Sequence, residues 1–213
     1  MKRTVYLCFI ALITFSCSTT DNNQDAQDAD SNFYALTVGN QWIYKNYKYN
    51  STTQTYDETG VIDSVSIVGT EVLNDEIYYK FRRWTTGNET GIALCNPNGE
   101  HFELLRDSLG YLIRDDGSIK YANNNFSARI LSSADWGIVY DQLIALDNEI
   151  TVEAGSFIST YSQRYAILND GVQSPGLDHF YYADGYGLIY DTSSFVSEDI
   201  PFIIRRLDSY SIE

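Results

Sequence analysis

The sequence predicts a mainly β domain built as an antiparallel meander. Three observations predict it. The chain is rich in aromatic residues, with 18 Tyr, 10 Phe and 3 Trp among 213; together with β-branched residues, these fit the pleated, half-buried surface of a sheet. Apolar and polar residues alternate with a period of two over several segments, which places one set on each face of a strand. Turn-forming clusters punctuate those segments, and strands joined by short turns pair antiparallel.

The N-terminus is of another kind. Lys2 and Arg3 form a basic start, Val5 to Phe15 an apolar run, and Thr14-Phe15-Ser16-Cys17 closes it before a polar, acidic stretch. About a dozen residues are too few to span a bilayer as a helix, which takes roughly 20. They suit a secretory signal. The closing segment resembles the lipobox of bacterial lipoproteins, whose cysteine receives a diacylglyceryl group just after the cut. Residues 1–16 are therefore expected to be a lipoprotein signal peptide, and Cys17 the site of lipid attachment. Several acyl chains, at about 0.8 kcal/mol per buried methylene, anchor a protein stably. The membrane is thus an expected partner. The expected location is the cell envelope, lipid-anchored at the outer membrane, on its periplasmic or its surface-exposed face.

Residues 17–32 are expected to form the lipidated cysteine and an acidic flexible tether. Asp21, Asp25, Asp28 and Asp30 stand there among Asn and Gln, with too little apolar surface to fold. Residues 33–213 form a single β-rich domain, long enough for its own core. Strands fit 41–49, 61–69, 101–106, 109–114, 178–183, 186–191 and 202–212. Ile77, Tyr79 and Phe81 alternate with Tyr78, Lys80 and Arg82. Ile150, Val152 and Ala154 alternate with Glu149, Thr151 and Glu153. Phe157, Tyr161, Tyr165 and Ile167 share a face, with Thr160, Ser162 and Arg164 opposite. Asn74-Asp75, Asn96-Pro97-Asn98-Gly99, Asp115-Asp116-Gly117, Asn169-Asp170-Gly171 and Asp184-Gly185 mark turns. One or two short helices are expected, one of them within Ser132 to Leu146, although Gly137 counts against it.

Charge and chemistry narrow the function. Without Lys2 and Arg3, 12 basic residues face 29 acidic ones, a net of −17. Such a chain is repelled by phosphate backbones, so nucleic acid is not an expected partner. With Cys8 in the signal and Cys17 lipidated, Cys95 is left alone and no internal disulfide is expected. A nucleophilic cysteine needs a base beside it, and the two histidines are His101 and His179. Their spacing, with no cysteine pair, gives no zinc pattern. Asp115-Asp116-Gly117 and Asp184-Gly185 suit hairpin turns better than calcium loops. The nucleophile elbow, the Walker loop and the dinucleotide fingerprint do not occur. No catalytic residue, metal or cofactor is expected.

Three further segments carry a resemblance. Tyr34-Ala-Leu-Thr-Val-Gly-Asn-Gln-Trp-Ile-Tyr44, Val152-Glu-Ala-Gly-Ser-Phe157 and Phe180-Tyr-Tyr-Ala-Asp-Gly-Tyr-Gly-Leu-Ile-Tyr190 occur in that order. This order resembles a family of uncharacterised bacterial lipoproteins of Bacteroidetes type, with VGNxWxY, VxAGxF and YYAxGxGL motifs. Tyr186 and Ile189 depart from its commoner residues. The family is similar to periplasmic lipoprotein carriers, so the resemblance implies an antiparallel curved sheet or half-barrel. It also implies non-enzymatic binding of an apolar or amphipathic ligand in the concavity, around Trp42, Tyr44, Tyr79, Phe81, Phe157 and Tyr181. The alternative is a surface module for a glycan or an envelope protein, with Tyr47, Tyr49, Tyr56 or Trp84 on one flat face. A third reading is a hydrolase, with paired carboxylates or with His101 or His179 beside a nucleophile.

Overall fold

A computed structural model describes residues 32–213; the expected signal peptide, Cys17 and the tether up to residue 31 lie outside the described residues. The twelve strands are β1 (Gln41–Asn50), β2 (Thr55–Leu73), β3 (Glu76–Thr86), β4 (Gly99–Ser108), β5 (Tyr111–Arg114), β6 (Ile119–Ala122), β7 (Arg129–Ala134), β8 (Gly137–Val152), β9 (Gly155–Leu168), β10 (Gln173–Ala183), β11 (Gly187–Ser193) and β12 (Ile203–Ser211). They form one antiparallel sheet in the order β6-β5-β4-β3-β2-β1-β12-β11-β10-β9-β8-β7. The chain starts at the middle of the sheet and meanders to one edge. It then crosses to the other edge and meanders back, so that β12 pairs with β1.

This order forces curvature. Laid flat, twelve strands at about 4.8 Å spacing would hold β6 and β7 about 53 Å apart. Yet these edges are consecutive in the chain, and the link from Ala122 to Arg129 reaches at most about 25 Å. The sheet therefore rolls on itself. Tyr121 of β6 meets the other half: its hydroxyl and the Thr160 Oγ1 of β9 are 2.8 Å apart. Its ring lies 4.0 Å from that of Tyr182 on β10. Among the described residues β6 and β7 do not pair, so the sheet is a half-barrel rather than a closed barrel.

The described residues contain no helix. The segment 132–146, where a helix was expected, ends β7 and begins β8. The glycine that weakens a helix there serves a strand. Gly137 pairs with Leu168, and a Cβ on it would overlap the Ile167 carbonyl. The Asn74-Asp75 turn behaves as expected, with both residues at positive φ (52° and 65°) between β2 and β3. That is the twist a two-residue hairpin needs.

The segment 33–36, which precedes β1, is buried inside the roll. The Phe33 carbonyl accepts the Gly185 N–H (3.2 Å), and the Tyr34 hydroxyl donates to the Gly110 carbonyl (2.5 Å). This plug thus ties the β10–β11 turn to the β4–β5 turn. Asn40 anchors it. Its side chain is fully buried, donates to the Ala35 carbonyl (2.9 Å) and accepts the Glu213 N–H (2.9 Å). One side chain joins the plug to the C-terminus.

Asn40→Ala leaves a backbone carbonyl and an N–H without these partners. Each such loss costs about 1–3 kcal/mol. The expected destabilisation is about 2–3 kcal/mol, read as a lower urea midpoint at unchanged slope; a loss below about 0.5 kcal/mol would remove Asn40 from this role.

Candidate ligand-binding cavity

The rolled sheet encloses a cavity of about 510 Å³, lined from β1–β6 on one side and β9–β12 on the other. That is within the usual range for small-molecule sites, about 300–1,000 Å³. Its apolar wall centres on Trp42 and Tyr44 of β1, Val65 of β2 and Phe81 of β3, with Tyr182 and Leu188 facing from the other half. The Trp42 and Phe81 rings stack at 6.1 Å and 18°. The polar tips of the β1 aromatics are already used: Trp42 Nε1 donates to the Tyr186 carbonyl (2.8 Å), and the Tyr44 hydroxyl to the Leu188 carbonyl (2.8 Å). What they present to the cavity is ring.

The rest of the lining includes a cluster of charges. Arg83, Arg114, Lys120, Arg164 and Arg205 face Glu103 and Asp191. Arg205 grips Asp191 in bidentate fashion, at 2.8 and 2.6 Å, and lies 3.6 Å from Asp63. Asp63 is fully buried and accepts from Thr85 Oγ1 (2.5 Å), Asn46 Nδ2 (3.1 Å) and Asn96 Nδ2 (3.1 Å). Burial alone would raise the Asp63 pKa. Arg205 and these hydrogen bonds outweigh it and hold the carboxyl below its usual value. Glu103 follows the same logic: burial raises it, while Lys120 and Arg114, both bonded to it, bring it below the usual range. The five lining cations face Glu103 and Asp191, with Asp63, Asp141 and Asp178 close behind them.

Of the expected site residues, Trp42, Tyr44 and Phe81 line this cavity. Tyr79 stands beside it, paired across the ladder with the lining residue Leu105 and packed on the core. Phe157 is buried against Tyr186 and Tyr210, outside the lining. Tyr181 lies between the lining residues Phe180 and Tyr182, so it projects from the other face of the sheet. There it stacks on Tyr161 at 4.7 Å and 15°. Of the residues for a flat surface site, Tyr47, Tyr49 and Tyr56 sit together where β1 pairs with β2, and Trp84 stands on β3. Tyr47 is bonded to Glu153 and Tyr56 to the Pro201 carbonyl, and Tyr49 and Tyr56 tilt at 59°. The charged lining was not among the sequence candidates. Its signal was present in β12, where Arg205 shares a face with buried Ile203 and Leu207.

Among the described residues neither histidine is hydrogen-bonded to Cys95. Burial, with a smaller push from Asp63, raises the Cys95 thiol to about 11, so it stays protonated at neutral pH. His179 Nδ1 is 2.7 Å from the Tyr161 hydroxyl, and His101 Nε2 is 3.3 Å from the Pro97 carbonyl. Among the described residues no cluster of His, Cys, Asp and Glu is placed to hold a metal ion.

Two solved structures share the fold. One, from Bacteroides fragilis, is described as an exported protein with a YmcC-like fold; it is 9% identical, with a TM-score of 0.52, over 85% of this chain and 99% of that one. The other, from Parabacteroides distasonis, is described as a lipoprotein; it is 13% identical, with a TM-score of 0.52, over the same shares of 85% and 99%. At these identities the likeness is one of fold. No protein-family model matches the sequence, and no curated protein matches it.

Asp63→Asn tests the charged floor. Removing one member of a buried ion pair costs about 3–5 kcal/mol, and that loss is expected at pH 7 by urea unfolding. The pKa of Asp63 is lower folded than unfolded. Its contribution is therefore complete above the unfolded value of about 3.9 and disappears as pH falls through the folded one. The deficit of the variant should shrink as pH falls below about 4; a deficit constant with pH would contradict the assignment.

Proposed function

We propose that this is a lipid-anchored cell-envelope protein whose half-barrel binds an amphipathic ligand without chemical conversion. The observation that carries the reading is the cavity. It is of ligand size, one wall is aromatic and aliphatic with the polar tips of Trp42 and Tyr44 satisfied, and a cluster of charged side chains lines another part. A surface with both characters suits a molecule that has both. The lipobox-like ending at Cys17 supports anchoring at the outer membrane, and the two neighbours described as exported and as a lipoprotein support an envelope location. A tether after Cys17 would leave the domain free to meet lipids or other amphiphiles near the surface that holds it.

Filling the cavity tests the reading. Val65 is half-buried on the apolar wall. Val65→Trp should leave the fold in place, with a stability change of about 1–3 kcal/mol. It should weaken binding of a fluorescent long-chain fatty acid at least about tenfold. Unchanged uptake by the folded variant would place the ligand elsewhere, and no uptake by the native protein would contradict the reading.

A further inference from the structure

Not all cations of the cavity are equally engaged. Arg205 is held by Asp191 and faces Asp63, while Arg114 and Lys120 share Glu103. These three spend their charge on the fold. Arg83 and Arg164 are engaged more loosely, with no carboxylate among the described residues hydrogen-bonded to either. The Nε atoms of both are buried without a hydrogen-bond partner. The carboxylate near Arg83 is Asp63, with Oδ1 at 3.9 Å, beyond hydrogen-bond reach and already accepting from Thr85 and Asn96. Arg164 lies over the Phe180 ring at 4.7 Å. Its ladder neighbours are Asp141 and Asp178. Asp141 bonds Arg129 through Oδ2 and keeps a buried, unbonded Oδ1, and Asp178 accepts the Ser194 N–H; the charge of Arg164 acts on both carboxyls. Among the described residues no carboxylate oxygen lies within 4.0 Å of the Arg164 guanidinium.

The two guanidinium groups with unbonded Nε atoms stand on β3 and β9, six strands apart in the sheet, and line the same cavity. Planar guanidinium forks match carboxylate and phosphate oxygens, and in a water-poor site such bonds are stronger than neutral ones. A buried donor without a partner carries a desolvation cost that an incoming anion would offset. The apolar wall around Trp42 and Phe81 adjoins these groups in one space. We infer that the ligand is an anionic amphiphile whose carboxylate or phosphate head is held by Arg83 and Arg164, with its hydrocarbon part against the Trp42–Phe81 wall. The inference rests on the reading of the cavity as a ligand site.

A calorimetric series on the purified protein tests it, with dodecanoate, dodecyl phosphate, dodecanol and inorganic phosphate as probes, below micelle-forming concentrations. The two anionic amphiphiles are expected to bind at least about tenfold more tightly than dodecanol, the scale of one charge-assisted hydrogen bond. Arg83→Gln and Arg164→Gln should each weaken the anionic probes about tenfold and leave dodecanol within about twofold. If a variant fails to fold, the probe series on the native protein decides alone. Equal affinity for dodecanol and the anions would overturn the inference and leave the ligand site standing. Inorganic phosphate binding as tightly as dodecyl phosphate would overturn the amphiphile class. No binding of any amphiphile would overturn the ligand site itself, and the inference with it.

Discussion

The constraint on which the rest of this structure depends is the short link between the two sheet edges. Because β6 and β7 are consecutive in the chain, a sheet of twelve strands has to roll until its edges are neighbours. Rolling gives the sheet an inside. It brings Tyr121 against Thr160 and Tyr182, and it sets Arg83 and Arg164 around one space although they are remote in strand order. The buried segment 33–36 then fills part of the interior, and what it leaves is the cavity.

The interior is divided by chemistry. One part is a core of aromatic and aliphatic side chains in which Tyr34, Trp42 and Tyr44 spend their polar atoms on backbone carbonyls. The other is a charged floor organised by Asp63 and Arg205. Buried ion pairs contribute little net stability, because desolvating the charges offsets most of their attraction. Apolar side chains of similar volume could close the same space about as stably. On the proposed reading the charged floor serves recognition, and the unbonded Nε–H groups of Arg83 and Arg164 favour an anionic ligand.

Much of the fold was legible in the residues. Alternation and turn pairs placed most strands, and the Asn74-Asp75 and Asp184-Gly185 turns stand where the sequence puts them. Two short strands, β6 and β7, were not recognised in the sequence. The segment 132–146 misled for a different reason. Its strand state is imposed by pairing with β9, a long-range contact that local propensity does not contain. The candidate site was legible only through its aromatics. Trp42, Tyr44 and Phe81 point inward as expected, while Tyr181 points outward because Phe180 and Tyr182 take the inner positions. Period-two alternation separates two faces without saying which is inside. That is why Arg164, correctly set opposite Tyr161, was not recognised as lining the cavity. Charges at inward positions look like solvent-facing residues until the roll of the sheet is known.

Native mass spectrometry of residues 33–213, exported to a bacterial periplasm without Cys17 so that no covalent lipid adds to the mass, and followed by solvent extraction, tests the central claim most directly. The account predicts a mass above that of the bare chain, with an extracted molecule that carries both a hydrocarbon part and an anionic head. A bare mass that persists after incubation with long-chain fatty acids would contradict it.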